Sequence, residues 1–187
     1  IKLTGENRLK NGYLETEEPS TWVWTESDLI AVELIKELHK NGIRVIFDGV
    51  FNHSGSTHWS FEAAMAEGEH SKYSKWYKIH DTSRAKKIKD GMSEEEAYRV
   101  LLHNKSHIRY TGWAGFAGLP EFNTYNREVM EYLFNITRKW MLGPDGKSAE
   151  NWMEDDGIDG WRLDVPNCVE NQEFWHEWRK VVKECKG

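Results

Sequence analysis

The sequence predicts the α/β class, with parallel strands fed by helices and only part of the sheet represented. Helical and strand-type patterns alternate along the chain in the order helix, strand, long excursion, helix, strand, helix. Both strand-type runs open on Gly-Ile and end in an aspartate, Asp48 and Asp164, and the carboxyl ends of parallel strands are where such sheets gather their chemistry. The first run, Ile43-Arg44-Val45-Ile46-Phe47, is nearly continuous and β-branched, as expected of a strand covered on both faces. Two strands and three long helices cannot close a parallel sheet, so the expectation is a fragment of one.

Residues 1–24 are polar and aperiodic and read as loop, with Glu17-Glu18-Pro19-Ser20 as a turn. Thr25 and Asp28 form a capping-box-like start, and Ile30, Leu34, Ile35 and Leu38 recur at helical spacing up to Asn41-Gly42, which predicts a helix over about 27–40. The strand Ile43 to Phe47 follows and leads into Asp48-Gly49-Val50-Phe51-Asn52-His53. From Asn52 to about Tyr125 runs a connection too long for a simple loop, so it reads as functional or as a small subdomain. Short helices are predicted there over 61–66 and 94–102, the second introduced by the capping box Ser93 to Glu96. Asn126 is the expected cap of a second long helix, with Val129, Met130, Leu133, Phe134, Ile136 and Trp140 on its apolar face and Gly143-Pro144 as its stop.

The second strand lies in Gly157-Ile158-Asp159-Gly160-Trp161-Arg162-Leu163-Asp164-Val165, and Pro166 ends it. Read as a buried strand, it carries two charges that cost several kcal/mol to desolvate unless paired. Arg162 and Asp164, two residues apart, point to the same side, so the guanidinium is placed to hold and acidify the carboxylate. That pair reads either as a structural ion pair or as an activated anionic nucleophile. A third helix follows, marked by Phe174, Trp175, Trp178, Val181 and Val182 and ending near Lys186.

The 187 residues are 39% hydrophobic, enough apolar material for a core. No apolar run approaches the ~20 residues of a membrane span, and the N-terminus has neither a signal peptide's apolar stretch nor an initiator methionine. The chain is therefore expected to be processed or cut from something longer. A net charge of −6 with both signs interspersed argues against nucleic-acid and anionic-membrane partners. Cys168 and Cys185 are too few for a disulfide framework. Ten tryptophans are unusual; Trp22, Trp24, Trp59, Trp76 and Trp113 fall in loop-like stretches, where they either stack on sugar rings or anchor irregular structure to a core.

Asp48 to His53 and Gly160 to Val165 resemble the first and second signature regions of the α-amylase superfamily, glycoside hydrolase family 13. Leu119-Pro120-Glu121-Phe122-Asn123 resembles the motif that ends that family's excursion domain, and the three occur in the family's order. The resemblance extends over nearly the whole chain, apart from about Ser83 to Ser106, and is closest to the neopullulanase, cyclomaltodextrinase and maltogenic amylase group. It implies a partial (β/α)8 TIM barrel, with residues 1–51 holding the third strand, 52–125 an excursion domain inserted after that strand, and 126–187 the fourth strand.

The same resemblance implies the site. Asp164 becomes the nucleophile, kept ionised by Arg162; His53 donates to a sugar hydroxyl beside the cleaved bond; Asp48, with Asn52, supports the site. Asn123 closes the excursion motif near it, and Trp113 and Phe116 are candidates to wall the cleft by stacking, in a glycine-rich loop that is either flexible or closely approached. The family's general acid glutamate and its second aspartate belong to the fifth and seventh strands, so the chain alone is expected to be inactive. Typical α-amylases carry Lys-His three and four residues after the nucleophile, and the cyclomaltodextrinase group Asn-Glu; here the pair is Asn167-Cys168. Asn167 keeps the second pattern and is assigned to substrate binding, whereas Cys168 matches neither pattern and leaves open the subsite that the glutamate normally shapes. The absent histidine removes a contributor to the usual calcium site, so no metal is assigned there, and calcium in the complete enzyme is left open.

The implied partner is an α-glucan oligosaccharide or polysaccharide, and the resemblance allows a homodimer of the complete enzyme. The family group and the few cysteines favour a cytoplasmic location, with secretion left open. Transglycosylation by the same covalent intermediate and a non-catalytic glucan-binding or scaffold role are the alternatives. His103 and His107 have metal-chelating spacing without an evident third ligand, and the sequons at Asn52, Asn104 and Asn135 mean little without a secretory signal.

Overall fold

The first helix, α1 (Glu26–Lys40), begins where its capping residues put it: Thr25 Oγ1 accepts from the Asp28 backbone at 3.2 Å, and Asp28 returns a carboxylate oxygen to the Thr25 N–H at 3.0 Å. The computed structural model describes residues 15–79, 93 and 110–186. These form two compact units, the described parts of Ile1–Phe51 with Arg127–Gly187, and those of Asn52–Asn126. The expected helix over 94–102, His103, His107 and the sequon at Asn104 lie outside the described residues.

In the first unit the face of α1 that packs inward carries Val32, Ile35 and His39. Ile30 and Leu34, assigned to the apolar face by spacing, are instead exposed at 63% and 59%. Their side of the helix meets no described element. Strand β1 (Ile46–Gly49) pairs in parallel with β2 (Gly160–Leu163), in the register Ile46 to Gly160, Phe47 to Trp161, Asp48 to Arg162 and Gly49 to Leu163.

The strand therefore starts later than the run of β-branched residues. Ahead of it the Asp159 carboxylate takes the Val45 N–H at 2.7 Å, while the Asp159 N–H donates to the Val45 carbonyl at 2.8 Å, a side-chain clasp in place of a ladder. The expectation of a strand covered on both faces also fails here, since Ile46 is 63% exposed among the described residues.

Helix α2 (Trp59–Glu67) lies in the other unit, and in this one helix α3 (Arg127–Leu142) and helix α4 (Gln172–Lys186) pack against each other. Phe134 and Phe174 meet at 5.3 Å between ring centres, and Trp178 donates its indole N–H to Thr137 at 2.9 Å. Full burial of such rings contributes about 2 kcal/mol each. Inward positions of α3 include Tyr132, Thr137 and Met141, while Ile136 and Trp140 are only half-buried. Gly143, at φ +67°, ends the helix in the left-handed conformation that glycine adopts without steric cost. Ile35, Met141, Ile158 and Cys185 form the fully packed centre, ringed by Phe47, Trp140 and Trp161.

Buried His39 ties α1 to the approach to β2, with Nδ1 against the Asp155 carbonyl at 2.8 Å and Nε2 against Asp159 at 2.9 Å. Trp22 and Trp24 set their edges against Tyr132 and Trp140, so these two tryptophans anchor the irregular segment around the 3₁₀ turn Pro19–Thr21.

The second unit is aromatic at its centre. Helix α2 (Trp59–Glu67), longer at both ends than its apolar spacing predicts, buries Phe61 and Ala64. Trp76, Tyr77 and Phe122 are buried with it, which assigns Trp76 to packing. Burial pushes the Tyr77 hydroxyl up to about 12, against hydrogen bonds from Ser54 and Ser60 that act the other way. Single antiparallel bridges join His53 to Glu121, Tyr77 to Phe122, Ile79 to Tyr110 and Gly112 to Pro120, replacing any extended sheet among the described residues.

Candidate active site

The parallel register sets Asp48 beside Arg162, and the strand pleat sets Arg162 on the same side as Asp164. One guanidinium nitrogen, Nη1, donates to both carboxylates, to Asp48 Oδ1 at 2.8 Å and to Asp164 Oδ1 at 2.6 Å. The group is thus a triad. Hydrogen bonding to Asp48, and next to Asp164, raises the guanidinium's already high pKa further. The strand is less buried than expected: the Arg162 side chain is 57% exposed and that of Asp164 29%. The reason is that this side of the two-stranded sheet is uncovered by any described element.

Beneath the strand ends, Phe51 is buried against Trp161, Phe174, Trp175 and Trp178. Gly49 makes room for it, since a Cβ there would stand 2.6 Å from the Phe51 ring. No periodicity in the sequence points to that packing, because Phe51 lies beyond the strand. Past Asp164, whose N–H donates to the Gly49 carbonyl at 3.1 Å, Val165 adopts φ 39° and ψ 48° and the chain enters the 3₁₀ turn Pro166–Cys168. Asn167 is exposed in that turn, and Cys168 is half-buried with a free thiol.

In the second unit Asn52 is buried and its amide Nδ2 lies 3.4 Å from His53 Nδ1. That contact lets the Asn52 amide donate to Nδ1 when the ring carries its proton on Nε2. The His53 ring stacks on Trp113 at 5.5 Å and 25°, and exposed Phe116 stacks on Trp113 at 6.3 Å and 27°. The glycine-rich loop is closely approached: a Cβ on Gly112 would lie 2.2 Å from the Phe116 carbonyl oxygen, and the turn passes through positive φ at Ala114 and Gly115. Asn123 donates through Nδ2 to the Lys75 carbonyl at 3.1 Å, and Glu121 pairs with Lys78 at 2.9 Å, so the excursion-end motif is built into that unit's own framework. Among the described residues no three His, Cys, Asp or Glu side chains gather as a metal site.

The chain brings Asp48, Arg162 and Asp164 together in one unit, and Asn52, His53, Trp113 and Phe116 in the other. The family model described as alpha amylase, catalytic domain, matches residues 25–186. Neopullulanase 2 of Thermoactinomyces vulgaris is 35% identical over 150 residues, covering 80% of this chain and 20% of the relative. A cyclomaltodextrinase of a Bacillus species is 38% identical over 152 residues, covering 81% and 22%. Among solved structures, the debranching enzyme of Nostoc punctiforme superposes with a TM-score of 0.61 at 34% identity, covering 85% of this chain and 27% of that one. The chain thus spans about a fifth of the length of the curated relatives it matches.

Proposed function

The chain belongs to the alpha-amylase catalytic-domain family and forms a part of a TIM barrel, and on that premise we propose that it carries the nucleophile side of a retaining glycosidase site for α-glucans. The observation that carries this reading is the Asp48–Arg162–Asp164 triad at the carboxyl ends of two paired parallel strands. In it Asp164 is the group that attacks the anomeric carbon, giving a covalent glycosyl-aspartate that water then releases. Arg162 holds Asp164 in line and balances its charge; Asp48 holds Arg162. Strands β1 and β2 take the places of the third and fourth barrel strands, and Asn52–Asn126 is the excursion domain.

Within that domain His53 is the donor to a sugar hydroxyl. Its contact with Asn52 fits an imidazole that carries its proton on Nε2, and the Trp113 stack restrains its ring. Trp113 and Phe116 present aromatic surface to the glucan, Asn167 borders a sugar subsite, and Asn123 fixes the domain's last loop. The names of the relatives, a neopullulanase and a cyclomaltodextrinase, favour starch oligosaccharides, cyclodextrins and pullulan as substrates. The acid that protonates the leaving oxygen comes from a further strand of the full-length enzyme, and the 187-residue chain alone does not turn over glycosides.

The test uses the full-length protein that carries this chain. Asp164→Asn is expected to lower kcat on maltooligosaccharide at least about 10³-fold with KM little changed, as removal of a nucleophile does. A fluorinated α-glucosyl fluoride that slows release of the intermediate should leave a sugar on the peptide containing Asp164, read by mass spectrometry. A label on another residue, or an active Asp164→Asn enzyme, would refute the assignment.

A further inference from the structure

Val165 is a β-branched residue in the left-handed region, at φ 39° and ψ 48°, and it precedes a proline. Both features oppose the conformation: Cβ and the branched methyls crowd the backbone at positive φ, and a following proline steers its neighbour to extended backbone. The side chain is only half-buried, so core packing does not account for a valine held this way.

The backbone is pinned on both sides of it. Ahead, the Asp164 N–H donates to the Gly49 carbonyl at 3.1 Å, which fixes residue 164 on the sheet. Behind, the Cys168 N–H donates to the Val165 carbonyl at 2.9 Å, the Val169 N–H to the Pro166 carbonyl at 3.3 Å, and the Trp175 indole, from α4, to that same carbonyl at 3.2 Å. Val169 is buried. The chain must pass from strand to turn within one residue, and Val165 absorbs the change. A strained residue kept by such fixed surroundings, next to a reactive group, suggests a function for the strain.

We infer that Val165 is a positioning residue whose left-handed backbone aims the Asp164 carboxylate, an inference that rests on Asp164 being the nucleophile. With the backbone fixed before and after it, Asp164 keeps only its side-chain torsions. Those are taken up by the 2.6 Å bond from Arg162, so the carboxylate stands preorganised with little left to order in the transition state.

Three variants of the full-length enzyme test this on maltooligosaccharide. Val165→Gly accepts positive φ freely and opens other backbone wells as well. It is expected to lower kcat about 10- to 100-fold, the scale of a misplaced reacting group, with KM held within about twofold and the thermal midpoint not lowered. Val165→Asn, a residue that tolerates the left-handed region, is expected to hold kcat within about threefold. Trp175→Phe, which removes the indole bond to the Pro166 carbonyl and so unpins the turn behind Val165, is expected to lower kcat at unchanged KM, and it carries the test should Val165→Gly fail to fold.

A wild-type kcat in Val165→Gly together with a higher midpoint would make the strain incidental and overturn the inference. Equal losses in Val165→Gly and Val165→Asn would assign the effect to the isopropyl group and overturn it too, as would an unchanged kcat in Trp175→Phe. Asp164→Asn run alongside separates the two readings. If it is inactive, these outcomes bear on Val165 alone; if it is active, the nucleophile assignment falls and the inference with it.

Discussion

Asp155 and Asp164 each sit against a cation, yet only Asp155 is out of water. Asp164 shares one exposed guanidinium with Asp48, whereas Asp155, 2% exposed, takes Lys186 at 2.7 Å, the Ser148 hydroxyl and the N–H groups of Ala149 and Gly157. Burial pushes the Asp155 carboxyl up, but Lys186 and the two N–H groups outweigh it and hold the carboxyl below its usual range. A group whose folded pKa is depressed is protonated first in the unfolded chain. Its stabilisation is therefore complete above the unfolded value, about 3.9, and is lost as pH falls through the folded one. Asp155→Asn is expected to cost about 3 kcal/mol at pH 7, the scale of a broken buried pair, and the gap to wild type should narrow below about pH 4. Urea midpoints of both proteins from pH 7 to pH 3 check this, and a gap undiminished at pH 3 would contradict it.

The elements meet most tightly where α3 ends and the approach to β2 begins. A Cβ on Gly157 would lie 2.1 Å from the Met141 carbonyl oxygen and 2.5 Å from its carbon, and backbone on both sides leaves nothing flexible to yield. Gly157→Ala should therefore part α3 from β2 and destabilise by about 3 kcal/mol or more, beyond the range of an ordinary surface change, as read from denaturant midpoints. Loss below about 1 kcal/mol would mean the two segments can slide apart.

The helices were legible beforehand because their signals are local. Thr25 with Asp28 and Gly143-Pro144 mark ends through bonds and conformations within a turn of themselves. The strands were less so: the apolar run starting at Ile43 hides that Asp159, far along the sequence, takes over the pairing of Val45. Asp48 and Arg162 are each legible as candidate site residues, but their bond depends on a register between strands that no local pattern records. Arg162 was misread as buried because a run flanked by leucine and isoleucine looks the same whether or not anything covers it.

At the scale of the molecule, the chain holds the Asp48–Arg162–Asp164 triad in one unit and a stacked His53, Trp113 and Phe116 in the other, built on separate frameworks. Double displacement with retention needs more than that. One carboxylate attacks as an anion while a second, about 5 to 5.5 Å away, delivers a proton to the leaving oxygen. The triad's carboxylates, Asp48 and Asp164, both accept from Arg162 Nη1, a geometry that serves anions and offers the leaving group no proton. The uncovered apolar side chains Ile30, Leu34 and Ile46 add that the described residues do not complete the sheet's surroundings. The 187-residue chain purified alone is therefore expected to release no reducing ends from maltooligosaccharide, under conditions in which the proposed function expects the full-length protein to do so. Should the chain alone turn over substrate, and should Asp48→Asn abolish that turnover, the proton donor would have to be Asp48, and Arg162 would then hold the acid and the nucleophile of the same reaction.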